Sequence, residues 1–195
     1  NFPKSHSEQN LNLDLNIGND SNESYLSSNS SISTDVNSNI KVEYISYEDL
    51  KPFNKEENIK VLFQTCLDRV IRTDSHWIDI FSGIDTLRRL LKFYPDVVIE
   101  KLSLLTNSLI KHSKSIRSNV AKISLLLITE IFQIKIVEKE DLLIAYLPLL
   151  LQINGQKEKR FLNEQAEKAL NEVVKNYSEF LTISLILKSV KEKKL

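Results

Sequence analysis

WIDIFSGIDTLRRLL (residues 77–91), RSNVAKISLLLITEI (residues 117–131) and RFLNEQAEKALNEVV (residues 160–174) are three stretches of the sequence that align without a gap. Apolar or small residues occupy the seventh, eleventh and fifteenth positions of all three, which are spaced as one face of an α-helix. The residues at these positions are Gly83, Ile123 and Ala166, then Leu87, Leu127 and Leu170, then Leu91, Ile131 and Val174. The alignment predicts three equivalent helices of an internal repeat.

The interval between these stretches is 40 and then 43 residues, within the range of roughly 40–47 residues typical of HEAT-type helix pairs. Between and beside them, apolar residues recur at helical spacing, and seven amphipathic helices are predicted. Their expected bounds are Asn54 to Arg72 with an Asn54–Glu57 capping box, Ser75 to Pro95, a helix from Pro95, one from Ser115, Lys139 to Gln152 with a kink near Pro148, Arg160 to Asn176, and Ser178 to Val190. We therefore predict an all-α fold, a HEAT-repeat (ARM-like) right-handed solenoid of about three and a half helical hairpins.

The amino-terminal region has a different composition. Residues 1–40 contain nine Asn and ten Ser, together with five acidic residues and one basic residue, and we predict a disordered acidic tail. The alternating Leu11, Leu13, Leu15 and Ile17 leave a short strand or a docking peptide as alternatives. We expect residues 41–53 to form an ordered lead-in on the first helix, and residues 54–195 to form the repeat domain.

Several classes of function receive no support from the composition. Basic and acidic residues number 26 each, so no overall charge favours nucleic acid or a membrane. No apolar run approaches the length of a membrane-spanning helix, and no signal peptide is evident. The single cysteine, Cys66, excludes an internal disulfide and is typical of a reducing compartment such as the cytosol. The sequence begins at Asn1 and contains no methionine, which leaves open that it is a piece of a longer protein.

In stacked helical hairpins, all turns within the hairpins lie along one edge. Residues 73–77, 112–118 and 152–161 are predicted to form that edge, with Asp74 and Glu158 as the only nearby acids. The edge would gather an aromatic residue and many cations, which indicates binding to an acidic protein. Its predicted members are His76, Trp77, Lys111, His112, Lys114, Arg117, Lys157, Lys159 and Arg160.

These turns resemble those of TOG domains, the HEAT-repeat modules that bind tubulin, and in particular the CLASP and crescerin branch. The similar stretches are DSHW at residues 74–77 with GIDTLRRL at 83–90, SIRS at 115–118 with Val120 and Ala121, and RFLNE at 160–164 with KAL at 168–170. The resemblance spans about residues 54–190. Asn163 departs from it, since the crescerin branch usually has an arginine there, and a complete TOG domain has six hairpins.

The resemblance implies a monomeric module without cofactors that binds αβ-tubulin or microtubules in the cytoplasm and cytoskeleton, with a cilium or a spindle as its site of action. It implies that Trp77, Arg117, Ser118 and Arg160 contact tubulin. On the same edge we include His76, Lys114 and Lys159 as binding residues.

Each of these residues also has a structural interpretation. Trp77 could pack on Phe81 and the preceding helix, and Arg117 and Arg160 could pair with acids of a neighbouring repeat. The alternative function is a scaffold for another acidic protein. Nucleic-acid binding is a third function, which the sequence favours less. His76 and His112 lack a third ligand for a metal, and Cys66 lies on an apolar face as a core residue would. The sequence contains no recognisable catalytic motif, and we therefore predict that the protein is not an enzyme.

Overall fold

The structure is a computed structural model that describes residues 42–54, 58–134, 140–156 and 159–192. The described part of the chain contains eight α-helices and no β-strand, which confirms the all-α prediction. The helices are α1 (Ile59–Ile71), α2 (Trp77–Phe93), α3 (Pro95–Glu100), α4 (Leu102–Ser113), α5 (Ser118–Gln133), α6 (Glu140–Asn154), α7 (Arg160–Asn176) and α8 (Glu179–Glu192). The predicted tail at residues 1–40 lies outside the described residues.

Three helices begin at least two residues later than predicted. Helix α1 begins at Ile59 and not at Asn54, because the side chain of Asn58 is its N-cap and accepts a hydrogen bond from the Val61 N–H at 3.3 Å. Glu57, the other member of the expected capping box, lies outside the described residues. Helices α2 and α5 begin two and three residues after the predicted serines.

The predicted third helix is divided into two. Pro95 is the first residue of α3, as expected, since its missing N–H and fixed φ suit that position. Lys101 leaves the helical conformation between α3 and α4. Helix α7 has the predicted bounds, and α6 contains Pro148.

The helices pack as three consecutive pairs in two rows. The pairs are α1 with α2, α4 with α5, and α6 with α7. Helices α1, α4, α6 and α8 contact one another in chain order and form the first row, while α2, α5 and α7 form the second. The buried core is continuous across both rows.

Helices α2, α5 and α7 run parallel to one another. Neighbouring helices of this row touch through residue pairs near their amino ends and again toward their carboxyl ends, which fixes their direction. The contacts are Trp77 with Arg117, Arg88 with Glu130, Lys122 with Phe161, and Asn176 with the carbonyl of Phe132. The amino-terminal ends of the three helices therefore lie along one edge of the molecule.

The described part of the lead-in, residues 42–53, crosses the second row of helices. The Arg88 guanidinium donates to the Ile45 carbonyl at 2.8 Å, and the Lys92 ammonium donates to three further lead-in carbonyls. The Tyr44 hydroxyl donates to Asn119 at 2.7 Å. We predicted packing on the first helix, whereas all these hydrogen bonds go to α2 or α5. The carbonyls of this segment have no partners in a regular helix or strand. They therefore accept hydrogen bonds from the cations of α2, which hold the segment against that helix.

No helix of the described residues is both long and apolar enough to cross a membrane.

Candidate functional site

The edge formed by the amino ends of α2, α5 and α7 is the candidate site. The turns that precede these helices hold most of the basic and aromatic residues that the sequence assigned to a binding surface. Their positions follow from the parallel arrangement of the three helices, since the amino ends of α2, α5 and α7 occupy successive places along the edge. We describe this edge from the α2 end to the α7 end.

Trp77 and Arg117 are brought together at the α2 end. Trp77 is half-buried as the first residue of α2, and the Arg117 guanidinium lies 5.8 Å from the centre of its ring. His76 immediately precedes Trp77, and the centre of its ring lies 6.0 Å from the centre of the Trp77 ring. A guanidinium over an indole is a cation–π contact, so Arg117 and Trp77 present one composite surface across two helix pairs.

His76 is the N-cap of α2. Its Nδ1 accepts a hydrogen bond from the Ile78 N–H at 3.4 Å, which requires that Nδ1 carry no proton. The ring is exposed. His76 therefore contributes to the start of the helix as well as to the edge.

The turn between α4 and α5 contains Ile116, which sequence reasoning did not assign to the site. Ile116 is 93% exposed, the highest exposure of any large apolar residue among the described ones. The turn is held by the Ser115 hydroxyl, which accepts a hydrogen bond from the Arg117 N–H at 3.2 Å. Lys114 and Ser118 flank it and are exposed. An isoleucine in a turn, where no helical face can bury it, is the signal that could have identified this residue.

A second aromatic group lies farther along the edge and was also missed. The Lys122 ammonium is 3.8 Å from the centre of the Tyr44 ring and 5.9 Å from that of Phe161. Burial raises the pKa of Tyr44 to about 12, and burial together with Lys168 lowers the pKa of Lys122. Tyr44 belongs to the lead-in, so no helical period could have placed it here.

The α7 end carries Lys159 and Arg160, both exposed. Arg160 forms an ion pair with Glu164 at 3.0 Å within its own helix, and its side chain is 92% exposed. The Asn163 amide donates to the carbonyl of Gln156 and holds the turn between α6 and α7. Asn163 thus stabilises the turn without adding a charge to the edge.

One residue of the predicted edge is placed differently. His112 is buried, and its Nε2 lies 2.8 Å from the carbonyl of Val70, which ties α4 to α1. Burial lowers the pKa of His112, an effect that Val70 opposes and Lys111 reinforces. The apolar side of α4 holds this ring because residue 112 follows Leu105 and Leu109 on one helical face. Lys157 lies outside the described residues.

The α2 end is less basic than expected. A shallow groove of about 570 Å³ beside His76 is lined by three carboxylates, those of Asp68, Asp74 and Asp79, besides Arg69 and Arg72. Arg72 pairs with Asp74 at 3.2 Å and lowers the pKa of that carboxyl. The prediction that Asp74 and Glu158 are the only nearby acids was therefore wrong, since the helical turns of α1 and α2 bring two more.

The edge presents an aromatic ring, several cations and an exposed isoleucine at the surface. Among the described residues, no cluster of three or more His, Cys, Asp or Glu side chains is arranged to hold a metal ion. Comparison of this chain with protein-family models, with curated proteins and with solved structures finds no match.

Proposed function

We propose that this chain is a TOG-like HEAT-repeat module, a right-handed solenoid that binds αβ-tubulin or microtubules through the edge formed by α2, α5 and α7. The protein acts by recognition without chemistry. It holds an aromatic anchor and several cations at fixed spacing on a rigid helical scaffold, and regulates microtubule dynamics or cytoskeletal organisation through that contact.

The paired helices in two rows support the repeat architecture. In such a solenoid each hairpin stacks on the next, so helices of one row touch in chain order, as these helices do. A solenoid also requires that α2, α5 and α7 run parallel, because only then do the turns within the hairpins lie along a single edge. Four contacts along this row support the parallel arrangement.

The observation that carries the proposed function is the group of Trp77, Arg117 and Ile116. A tryptophan, an arginine and a bare isoleucine combine an apolar anchor with charge, the composition that is enriched at the centres of protein interfaces. Arg117 also occupies a helix amino end, where its charge opposes the helix dipole. Its position is unfavourable for the stability of α5 and favourable for an acidic partner.

The proposal is tested by co-elution of the chain with purified αβ-tubulin on size exclusion at low and moderate salt. We expect co-elution of the natural chain and its loss in the double variant Trp77→Ala and Arg117→Glu. The matched control is Val61→Ala with Lys60→Glu, an exposed apolar residue and a cation on α1, which keeps binding. If no co-elution occurs at low salt, tubulin is not the partner, and the edge serves a different acidic protein.

A further inference from the structure

Lys122 on α5 is a half-buried cation without an acidic partner. Its ammonium lies 3.8 Å from the centre of the Tyr44 ring and 5.9 Å from that of Phe161. Burial, reinforced by Lys168 on α7, lowers the pKa of Lys122. Neither lysine forms an ion pair with any residue that the structure describes. Because a partly buried charge is costly without a counter-charge, this place favours an anion.

The charge of the edge is uneven. At the α2 end, three carboxylates line the groove beside His76. The cations of the α5–α7 end are Lys114, Arg117, Lys122, Lys159, Arg160 and Lys168, and the acids of the same segments are Glu43, Glu164 and Glu167. Arg160 pairs with Glu164, and the other five cations form no ion pair within the described part of the chain. An acidic ligand is therefore attracted to the α5–α7 end and repelled from the α2 end.

An acidic segment of the same chain joins the molecule at the α5–α7 end. Tyr44, near the start of the described residues, donates a hydrogen bond to Asn119 at 2.7 Å and has its ring beside Lys122. The preceding residues 1–40, which lie outside the described part, contain five acidic residues and one basic residue. The acidic residues are Glu8, Asp14, Asp20, Glu23 and Asp35. Opposite charges are thus joined covalently at one end of the edge.

The connection is long enough for these acids to reach the cations. Asp35 precedes Tyr44 by nine residues, which span about 30 Å when fully extended. Packed helices lie about 8–10 Å apart, so the amino ends of α2, α5 and α7 cover roughly 20 Å. A tether of this length holds a carboxylate near the cations at an effective concentration on the order of mM.

We propose that the acidic amino-terminal segment, residues 1–40, docks on the α5–α7 end of the edge through its carboxylates and competes there with an acidic partner. The segment offers the cations the same chemistry as the partner, so a partner gains them only by displacing it. The docking does not depend on the identity of the partner, whereas the competition rests on the proposed function.

Paramagnetic relaxation enhancement in the full chain tests the docking without a partner. A nitroxide is attached at Ser21→Cys, among the acidic residues, while Cys66 is buried and stays unlabelled. We expect broadening of the amide signals of Ser118 and Lys122, and none for Leu104, near the opposite end of the α4–α5 pair.

The matched control keeps the label and the tether and removes only the charges. Its substitutions are Glu8→Gln, Asp14→Asn, Asp20→Asn, Glu23→Gln and Asp35→Asn, and broadening at Ser118 and Lys122 should fall at least twofold. Equal broadening in the two chains would overturn the proposal. Broadening that falls on tenfold dilution would also overturn it, because the segment would then dock on a second copy.

The location is tested by Lys122→Gln combined with Lys168→Gln, which should lower the broadening at Ser118 as much as the neutral segment does. Lys60→Gln with Lys101→Gln removes two exposed cations elsewhere and should leave it unchanged. If the first pair also leaves it unchanged, the segment docks at another place. Circular dichroism checks that each chain is folded, and the substitutions in the segment decide the docking if the lysine pair is not.

Titration with αβ-tubulin tests the competition. The chain with the neutral segment should bind at least threefold more tightly than the natural chain, and the difference should vanish at high salt. Equal affinities at low salt would refute the competition. If neither chain binds tubulin, the proposed function fails, while the relaxation measurement still decides whether the segment docks.

Discussion

The Arg88 guanidinium on α2 donates three hydrogen bonds to the Glu130 carboxylate on α5, with nitrogen–oxygen distances of 2.7, 2.8 and 3.0 Å. Both side chains are buried, at 1% and 4% exposure. Arg88 also donates to Asp85 at 3.2 Å and to the carbonyl of Ile45 at 2.8 Å. One side chain therefore joins two successive helix pairs and the lead-in, and each of its three guanidinium nitrogens has an acceptor.

Removing one partner of this pair should be costly. Arg88→Met leaves Glu130 buried without its cation, and Glu130→Leu leaves Asp85 as the only carboxylate bonded to Arg88, so we expect each to lower the free energy of unfolding by about 3–5 kcal/mol. The double variant should be more stable than the sum of the two losses predicts, since it leaves no unpaired charge at the Arg88–Glu130 contact. Urea denaturation of the four chains measures this coupling, and strictly additive losses would contradict it.

Lys92 should hold the lead-in in place. Its ammonium donates to the carbonyls of Tyr47, Glu48 and Leu50 at 2.6, 2.8 and 3.2 Å. Lys92→Met keeps the length of the side chain and loses all three bonds, so we expect a loss of about 1–3 kcal/mol in the free energy of unfolding. Limited proteolysis should cut within residues 42–54 faster than in the natural chain. Lys60→Met on the exposed face of α1 is the control, and equal cleavage rates in all three chains would refute the assignment.

Gly83 should tolerate no branched side chain. A Cβ at this position would lie 3.1 Å from Cγ2 of Val70, which is fully buried, and 3.4 Å from the carbonyl oxygen of Cys66. Helix α2 therefore approaches α1 closely only because residue 83 has no side chain. We expect Gly83→Val to lower the free energy of unfolding by about 1–3 kcal/mol or more through overpacking.

Thermal or urea denaturation of this variant measures the loss. Ile78→Val provides a comparison at a half-buried position of the same helix, where the side chain stays branched and its bulk changes little. A Gly83→Val chain as stable as the natural one would show that α1 can move away from α2 at little cost.

Helical periodicity explains why most of the fold could be predicted. Leu87, Leu91, Leu127 and Ile131 are fully buried at the positions that the repeat alignment assigned to the core. Val174, the equivalent residue of the third aligned stretch, is 62% exposed. Helix α7 is the last of its row among the described residues, so this position faces no further helix. The period of a sequence predicts which face is apolar, and the neighbours of that helix decide whether it is covered.

The lead-in and Ile116 could not be predicted by the same means. The lead-in buries Leu50 and Phe53, and its carbonyls accept hydrogen bonds from cations of α2. Because every residue has a carbonyl, the sequence does not reveal that α2 binds this segment. The apolar character of Ile116 suggested no face, because residues 114–117 form a turn and not a helix. The aromatic and basic residues at helix starts were easier to place, since the repeat interval alone brings them to one edge.

Cys66 should be unreactive in the folded protein. It is 1% exposed, and burial raises the pKa of its thiol to about 11 from the usual value of 9.0, against the opposing effects of Thr86 and Arg69. Since only the thiolate reacts, a rise of about two pKa units lowers its population about 100-fold at pH 8. We expect the reaction with Ellman's reagent to be at least that much slower in buffer than in urea, and to accelerate as the pH rises toward 11. Equal rates in buffer and urea at pH 8 would contradict the buried position.

Ile116 should contribute to partner binding without contributing to stability. Its side chain is almost wholly in water, so Ile116→Asp should change the free energy of unfolding by less than about 0.5 kcal/mol. At the centre of the proposed interface the same change buries a carboxylate against an acidic partner, and we expect the affinity for αβ-tubulin to fall at least tenfold, about 1.4 kcal/mol. Leu104→Asp on α4, at 54% exposure, makes the same chemical change away from the turn and should leave affinity unchanged. Binding isotherms of the three chains decide the question: if both variants bind like the natural chain, Ile116 lies outside the interface, and if both lose affinity equally, the loss comes from charge and not from this turn.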